Sequence, residues 1–391
     1  MHFYTSITSN YLPKARVLAR SVKRHAPDAV FHLLLSDDPP AGWNLADEPF
    51  DTVLGVEDLR IPQADAWVFK HELVEMCTAV KGPGALEIVR RHQPDKLIYF
   101  DPDIVVLSSL EGLNRELDTH SVLLTPHLTA PELTARGVLD NEISALKHGI
   151  YNLGFLGFRC SGEGLRCMQW WSDRLLEHCR DDIPGGLFTD QRWADHMPGL
   201  FDGVRVLREP VYNVATWNLS NRAITGSCPG SLLSNGQPLV FYHFSGLDSG
   251  AKEAMLDVYG QASPVLRELR SWYLRACEAE GQSNLGKIPC RYNRYDNGEK
   301  VLSVHRRLYR ERGDLQRAFP SPFETHDINR SYYHWYKANV DGEQGSEGHA
   351  ADDHEQTRVQ LRQAQDELRA IYRSRSWQWA KRFSRWYRMM R

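Results

Sequence analysis

Cysteine is sparse in this chain and is not arranged for cross-linking or for metal binding. The seven cysteines are odd in number and scattered through 391 residues, with no C-x-x-C pair and no cysteine/histidine cluster at zinc-ligand spacing. A disulfide framework and a structural zinc site are therefore not expected. A reduced, cytosolic compartment fits this pattern best.

Long apolar runs and an excess of charge of one sign are also missing. No stretch approaches the roughly 18 apolar residues of a membrane-spanning helix, and the first residues, MHFYTSITSNY, do not have the regions of a signal peptide. The net charge of −3 gives no overall field that would attract nucleic acid. We expect a protein that is not secreted, does not span a membrane and has no nucleic-acid partner.

Strand-like and helical patterns alternate along the first part of the chain. Helical patterns follow Pro13 and occupy residues 65–92, where Gly82-Pro83-Gly84 predicts an interruption. Strands are predicted at residues 2–5, 30–35, 96–100 and 121–124. This alternation predicts an α/β fold with a mostly parallel, Rossmann-like sheet flanked by helices. In such sheets, ligands bind at the carboxyl ends of the strands.

Changes in composition divide the chain into four predicted parts. We expect residues 1–250 to form the α/β domain and residues 251–336, which have few strand signals, to form a helical subdomain. Residues 337–354 are largely acidic and Gly-containing, which predicts a disordered linker. Residues 355–391 begin as a strong helix former and end in a basic tail.

The tail has an amphipathic pattern. One helical face contains aromatic and apolar residues and the other contains basic ones: Trp379, Phe383, Trp386 and Met390 against Lys381, Arg385, Arg388 and Arg391. Basic helices with interfacial tryptophans are typical of segments that bind anionic membranes. The alternative is a helix that packs on its own domain through the aromatic stripe.

Two aspartates end the strand LIYFDPDIVVL. Asp101 and Asp103 would point to opposite faces of a regular strand, so they converge only if the chain turns, as Pro102 indicates. A carboxylate pair suits a hard cation such as Mg²⁺ or Mn²⁺, with phosphate oxygens and waters filling the other positions. The alternative is a structural loop in which one aspartate caps a helix or closes an Asx-turn.

Two enzyme classes end a hydrophobic strand in this way. Haloacid-dehalogenase phosphatases use D-x-D-x-[TV], which Asp101, Asp103 and Val105 satisfy, but usually on the first strand of the domain. Glycosyltransferases of the GT-A fold use DxD to hold a metal on the diphosphate of a nucleotide-sugar. Four segments occur in the order typical of the second class: DKLIYFDPDIVVLSSL, YNLGFLGFR, FTDQRWAD and VFYHFSG. The chain thus resembles retaining GT-A glycosyltransferases of family 8, of the kind associated with bacterial surface-polysaccharide assembly.

This resemblance implies roles for individual residues, and it covers residues 1–250 firmly and the chain to about residue 325 more loosely. The expected metal ligands are Asp101, Asp103 and His243, and the expected catalytic residues are Asp190, beside the donor hydroxyls, and Gln191, under the anomeric face. The expected donor-binding residues are Thr5, Asn10, Tyr11, Lys81, Asn152, Gly154, Gly246 and Lys252.

Other assignments stay open at this stage. The family's acidic first-loop residue is replaced by an uncharged TSITS run. The family's lysine after H-x-x-G is also missing, and Lys252 can substitute for it only if the loop is longer.

The family resemblance implies retention of the anomeric configuration. We expect retention to proceed by front-face attack, because the Gln191 amide is a poor nucleophile. Inversion would need a carboxylate base, for which three are available: Asp140, Glu142 and Asp195. Trp217, Asn213 and Asn218 are possible acceptor or hydroxyl contacts.

The sequence as a whole predicts a peripheral, inner-membrane-associated glycosyltransferase. We expect a nucleotide-sugar donor, a divalent cation (Mn²⁺ or Mg²⁺), a glycan or lipid-linked glycan acceptor, and contact with the anionic membrane through the tail. The alternatives are a dehalogenase-type phosphatase that uses Asp101 and Asp103, and a catalytically inactive glycan-binding scaffold.

Overall fold

The central feature of the computed structural model, which describes residues 1–247 and 251–341, is a seven-stranded sheet. Its strands, in spatial order, are β10 (Val204–Val206), β6 (Val122–Pro126), β7 (Tyr151–Arg159), β4 (Lys96–Phe100), β1 (His2–Ile7), β2 (Val30–Leu35) and β3 (Thr52–Leu54). The pairs β10/β6, β4/β1, β1/β2 and β2/β3 are parallel, and β7 runs antiparallel to both of its neighbours. The predicted mostly parallel sheet is confirmed.

Shorter strands lie outside this sheet. β5 (Ile104–Val106) pairs with β14 (Phe241–His243), and β8 (Asp181–Asp182) pairs with β9 (Leu187–Phe188). β11 (Ile224–Ser227), β12 (Ser231–Ser234) and β13 (Gln237–Pro238) form an antiparallel sheet. None of these short strands has the length or alternation that predicts a strand from sequence.

Helices cover both faces of the main sheet. In the N-terminal part they are α1 (Leu12–His25), α2 (Ala64–Phe69), α3 (Leu73–Ala79), α4 (Lys81–His92), α5 (Glu111–Thr119), α6 (Ala135–Gly137), α7 (Ile143–His148), α8 (Gly162–His178) and α9 (Met197–Leu200). A turn of π-helix, Val138–Glu142, joins α6 to α7.

The apolar runs of the central strands follow from burial on both faces. Phe3 belongs to a core cluster on the side of α1 and α5, and Tyr4 to a cluster on the side of α4 and α8. Ile98 and Tyr99 of β4 divide between the two clusters in the same way. Successive side chains thus point to opposite, equally buried layers.

The break predicted at Gly82-Pro83-Gly84 is displaced in the structure. α3 ends at Ala79, and the three residues form the first turn of α4 instead of interrupting a helix. Proline is tolerated there because its missing N–H would have no intrahelical partner. Gly82 lies directly against α8, since a Cβ built on it would be 2.6 Å from the Ser172 Cα.

The C-terminal region is helical, as predicted. Its helices are α10 (Ala251–Tyr259), α11 (Val265–Ala279), α12 (Gln282–Leu285), α13 (Ser303–Glu311), α14 (Gly313–Ala318) and α15 (Tyr332–Tyr336). Residues Met1–Phe323 form one compact unit, and a second unit begins at Glu324. The first residues of the predicted linker, Lys337–Asp341, form a π-helical turn. The remainder of the linker and the basic tail lie outside the described residues.

In the part of the chain that the structure describes, no helix has both the length and the hydropathy to cross a bilayer.

We predict that Gly82→Ala destabilises the fold by about 1–3 kcal/mol, because the added methyl overpacks the contact between α4 and α8. Urea unfolding should show a lower midpoint with an unchanged slope. Gly199→Ala is the matched control, since Gly199 is exposed in α9 and its Cβ would meet no atom within 4 Å. Equal midpoints for the two variants would contradict this prediction.

Candidate active site

A tight turn brings Asp101 and Asp103 together at the end of β4. The Ile104 N–H donates to the Asp101 carbonyl (3.0 Å), which closes a β-turn with Pro102 at its second position. The chain then leaves the main sheet as β5. The turn resolves the difficulty that alternate residues of a strand face opposite ways, and the convergence predicted from sequence is confirmed.

His243 reaches the two carboxylates because β14 pairs with β5. His243 stands opposite Ile104 in that antiparallel pair. Its Nε2 lies 3.0 Å from Asp103 Oδ1 and 3.8 Å from Asp101 Oδ2. The three side chains offer ligand atoms that all lie within 4.8 Å of one another. Burial lowers the pKa of His243, but the carboxylates of Asp103 and Asp101 together outweigh it and raise this pKa above its ordinary value.

The hydrogen bonds around His243 indicate which of its two ring nitrogens carries the proton. Because the Gly154 N–H donates to Asn152 Oδ1 (3.1 Å), that oxygen is an acceptor. The group of Asn213 that reaches Asn152 Oδ1 (2.9 Å) is therefore its Nδ2, which leaves Asn213 Oδ1 to accept from His243 Nδ1 (3.2 Å). When neutral, His243 thus presents the lone pair of Nε2 to a cation.

Gly154 makes room for this arrangement. A Cβ at Gly154 would lie 2.4 Å from His243 Cε1 and 2.8 Å from Asn152 Oδ1. Its carbonyl accepts from the Asp101 N–H (2.8 Å), which ties β7 to the start of the turn. The sequence analysis expected Gly154 to contact the donor, but the group that lies against Gly154 is the ring of His243.

Lys81 joins two acidic residues at the bottom of the site. Its Nζ lies 3.2 Å from Asp101 Oδ1, 2.9 Å from Asp190 Oδ2 and 4.3 Å from the centre of the Tyr99 ring. The side chain is buried. Burial lowers the pKa of Lys81, but the carboxylates of Asp101 and Asp190 outweigh it and raise the pKa above its usual range. Lys81 therefore pairs with both carboxylates and links them.

A chain of amide hydrogen bonds connects the metal-ligand end to Gln191. Asn152 Nδ2 and the Leu153 N–H both donate to Gln191 Oε1 (3.2 and 3.1 Å), and Gln191 Nε2 donates to the His148 carbonyl (2.9 Å). Both ends of the Gln191 amide are therefore engaged.

Two adjoining cavities open above these residues. The larger, of about 450 Å³, is lined by residues that include Asn152, Asp190, Gln191, Trp217 and His243. The smaller, of about 240 Å³, is lined by residues that include Thr8, Asn10, Tyr11 and Asp103. Lys81 and Asp101 line both, so the aspartate turn lies at the junction.

The remaining predicted residues fall in different places. Thr5 lies in the middle of β1, fully buried, and lines neither cavity. Gly246 lies in the turn after β14 with a φ of 69°, and it is not a lining residue, although Ser245 is. The side chain of Lys252 lies outside the described residues. Donor contacts by Thr5 and Gly246 are therefore not supported by their positions.

The three carboxylates considered for an inverting reaction also separate. Asp140 lines the larger cavity, whereas Glu142 and Asp195 do not. Glu142 Oε1 accepts from the Glu132 N–H (2.8 Å), and Asp195 Oδ1 accepts from the Ile150 N–H (2.8 Å). Of the three, only Asp140 is placed to meet a substrate.

Several residues of the site were not predicted from sequence. Tyr99 donates to Asp101 Oδ1 (2.6 Å), and the period of two along β4, which places residues 99 and 101 on one side, was the available signal. His127 and His148 line the larger cavity, and neither carries a local pattern that indicates this. Asn213 and Asn218, considered above as hydroxyl contacts, instead form a hydrogen bond within residues 213–218, because Asn218 Nδ2 donates to the Asn213 carbonyl (3.0 Å).

The residues present fit a divalent cation. Two carboxylates and one imidazole nitrogen form a suitable donor set for Mn²⁺ or Mg²⁺, and the space beside His243 exists only because residue 154 has no Cβ. Among the described residues, this is the one cluster of three or more His, Cys, Asp or Glu side chains that could hold a metal.

Comparisons with known proteins give distant relatives. No family model matches the chain. It is 30% identical to the uncharacterized protein YfnF of Bacillus subtilis (strain 168) over 176 residues, which are 44% of this chain and 56% of YfnF. It is 26% identical to the uncharacterized protein YfnD of the same organism over 251 residues, which are 63% of this chain and 77% of YfnD. The chain thus spans little more than half the length of YfnF.

Among solved structures, the chain is similar to the galactosyltransferase LgtC in complex with donor and acceptor sugar analogs. The match has a TM-score of 0.38 and 17% identity, and it covers 69% of this chain and 99% of LgtC. At this identity and TM-score, the likeness assigns no activity to this chain.

We predict that Asn213→Gly lowers the affinity for Mn²⁺ by about 10–100-fold, because the variant loses the acceptor that fixes the His243 ring. Glycine accepts the φ of 50° found at this position, so that the backbone is spared. Titration of Mn²⁺ alone, followed by electron paramagnetic resonance, measures the change.

Thr125→Val is the matched control for this variant. Thr125 Oγ1 also accepts from Asn213 Nδ2 (2.8 Å), but its loss leaves the bond from Asn213 to Asn152 in place. A folded Asn213→Gly variant that binds Mn²⁺ as the wild type does would show that this contact does not position the ligand.

Proposed function

We propose that this chain is a metal-dependent glycosyltransferase that takes a sugar from a nucleotide-sugar donor. The observation that carries the proposal is the position of the Asp101–Asp103–His243 cluster at the junction of two cavities. A nucleotide-sugar has two parts joined by a diphosphate, and the diphosphate is the part that a divalent cation binds. A cation at the junction would meet the diphosphate with one part of the donor on each side.

The polarity of the two cavities favours one orientation of the donor. The smaller cavity contains Asn10 and the aromatic Tyr11, which suit a nucleoside. The larger cavity contains the amides of Asn152 and Gln191 and the carboxylate of Asp190, which suit sugar hydroxyls. We therefore place the transferred sugar beside Asp190 and Gln191.

This orientation gives each residue of the site a task. Asp101, Asp103 and His243 would hold the cation, which would neutralise the charge that develops on the nucleoside diphosphate as it leaves. Lys81 holds Asp101 and Asp190 in fixed positions, so that the metal end and the sugar end of the site keep their spacing. Asp190 would accept hydrogen bonds from the donor sugar.

The bonding of Gln191 supports a front-face, retaining reaction. Its Oε1 accepts two hydrogen bonds and its Nε2 donates to a backbone carbonyl, so that the amide is fixed and unsuited to attack carbon. In the front-face route, the leaving phosphate helps to deprotonate the acceptor, and Gln191 stabilises the positive charge at the anomeric carbon.

For the acceptor we propose a surface or cell-wall glycan of a bacterium, attached to a lipid at the inner face of the membrane. The support is the amphipathic, basic pattern of residues 372–391, which would bring the enzyme to an anionic bilayer. These residues lie outside the described part of the chain.

We predict that one nucleoside diphosphate, or its sugar derivative, raises the melting temperature only when Mn²⁺ is present. A ligand at 100 times its dissociation constant adds about 2.7 kcal/mol of stability, enough for a measurable shift. A panel of nucleoside diphosphates and nucleotide-sugars should be screened with and without Mn²⁺. In Asp103→Asn, the shift should disappear.

Asp202→Asn makes the same chemical change at an exposed position and should keep the full shift. If no nucleotide stabilises the wild type, and the protein hydrolyses simple phosphomonoesters with Mg²⁺, the protein is a phosphatase and not a glycosyltransferase. Sugar binding that ignores both metal and Asp103→Asn would instead indicate an inactive scaffold.

A further inference from the structure

One wall of the larger cavity is polar and is formed by one side of a helical segment. Asp140 and Asn141, in the π-helical turn, and Ser144 and His148, in α7, all line the cavity. We name these residues the polar wall. Residues three and four apart lie on the same side of a helix, so the polar wall is a continuous strip. The reaction proposed above gives none of these side chains a task.

The side chain of Asn141 has an unused hydrogen-bond acceptor. Asn141 is 3% exposed, and its Nδ2 donates to Glu132 Oε1 (2.7 Å). Because a carboxylate only accepts, this bond fixes which end of the amide is the oxygen. Oδ1 is buried and has no hydrogen-bond partner among the described residues, which is rare in native proteins. Asn141 lines the cavity and Glu132 does not, so Oδ1 is the end of the amide that remains for a ligand.

Two further acceptors of the polar wall are available. Asp140 receives its bonds from Tyr259 and Arg136 on Oδ2, which leaves Oδ1 without a partner among the described residues. His148 Nδ1 lies 2.8 Å from the Ser144 carbonyl, so Nδ1 carries the proton, and Nε2 of the neutral ring is an acceptor. A strip of acceptors pairs with hydrogen-bond donors. Neutral sugars supply such donors through their hydroxyls, whereas an anionic group would be repelled by the Asp140 carboxylate.

The polar wall extends beyond the place that we assign to the transferred sugar. Its His148 end touches Gln191, whose Nε2 donates to the His148 carbonyl (2.9 Å). Asp140 lies roughly two helical turns earlier, a distance of about 12 Å at the rise of an α-helix. The Asp140 end of the polar wall is therefore clear of a donor sugar bound beside Gln191.

The same end of the polar wall is connected to the side of the cavity on which the cation would bind. Glu132 Oε1 accepts from Ser220 Oγ (2.6 Å) as well as from Asn141, which ties the π-helical turn to the segment after Trp217. Trp217 lines the cavity and meets the His243 ring edge to face, with ring centroids 5.3 Å apart. In a front-face reaction, the acceptor hydroxyl approaches from the side of the leaving diphosphate, which is also the side of the cation.

We propose that Asp140, Asn141 and Trp217 form the subsite for the acceptor sugar, and that this sugar is neutral. Asp140 Oδ1 and Asn141 Oδ1 accept from two of its hydroxyls, and the Trp217 ring packs against its apolar face. This subsite rests on the proposed function, which places the donor sugar beside Gln191. A neutral sugar pairs with the acceptors of the polar wall, and a uronic acid does not.

The test measures binding of methyl glycosides to the full chain by saturation-transfer NMR. The neutral probes are the methyl glycosides of glucose, galactose, mannose and N-acetylglucosamine, and methyl glucuronide is the acidic probe. Mn²⁺ is present, together with whichever nucleoside diphosphate raises the melting temperature. At least one neutral probe should bind to the wild type, and the glucuronide should not.

Two variants test the two parts of the proposal. Asn141→Leu keeps the size of the side chain and removes the acceptor, so it should weaken binding of the neutral probe by about five- to tenfold, the effect of about one hydrogen bond. Asn284→Leu is its control, since Asn284 is exposed in α12 and lines neither cavity. Asp140→Asn should admit the glucuronide, because the repelling charge is gone. Asp202→Asn, at an exposed position, should still reject it.

Melting with Mn²⁺ and the nucleotide panel separates this subsite from the proposed function, because a donor binds without any acceptor. An Asn141→Leu variant that keeps the wild-type melting shifts and binds the neutral probe more weakly supports the subsite. If no nucleotide shifts the melting of the wild type, the proposed function fails, while weaker glycoside binding by Asn141→Leu still supports a sugar site at the polar wall.

Three results would overturn the acceptor subsite. The first is a wild type that binds no glycoside. The second is wild-type binding of all probes by both Asn141→Leu and Asp140→Asn. The third is an Asn141→Leu variant that reduces the melting shift of a nucleotide-sugar but not that of its nucleoside diphosphate, which would assign the polar wall to the donor sugar. If Asn141→Leu does not fold, Asp140→Asn decides with the same measurements.

Discussion

The geometry of the candidate site depends on residue 154 being a glycine. Its carbonyl holds the first residue of the aspartate turn, its N–H defines the orientation of Asn152, and its missing side chain admits the His243 ring. From that N–H, the hydrogen bonds run through Asn152 to Asn213 and then to His243. A single backbone position thus sets both where the histidine lies and which of its nitrogens is available to a cation.

The buried charges are tolerated because they are arranged as one group. Lys81 and Asp190 are buried and would each be costly to bury alone, and the partly buried Asp101 adds a second carboxylate to Lys81. Their ion pairs join the first turn of α4 to the end of β4 and to the loop before Gln191. The same contacts that make the burial possible therefore fix the distance between the cation-binding end and the sugar end of the cavity.

The sequence predicted four strands of the main sheet, β1, β2, β4 and β6, because apolar runs are local signals, but β1 and β6 each end two residues later than predicted. β2 and β4 lie at the predicted residues, and Pro102 indicated the turn that Asp101 and Asp103 need in order to converge. The reach of His243 could not be predicted from residue patterns, since it depends on the pairing of two three-residue strands far apart in the chain. The role of Asn213 was equally hidden, because it depends on contacts with Asn152 and His243, each at least 30 residues away. Thr5 was expected near the donor, but its position inside β1 keeps it in the core.

The helical segment of residues 130–150 shows how a fold can hold a helix that leaves large apolar side chains exposed. Its polar residues are held by specific partners on the cavity side, such as Tyr259 for Asp140 and Asn141 for Glu132, and these bonds replace the apolar contacts that usually attach a helix to its core. Leu139 and Leu146 are 64% and 67% exposed, so most of their surface takes no part in this attachment.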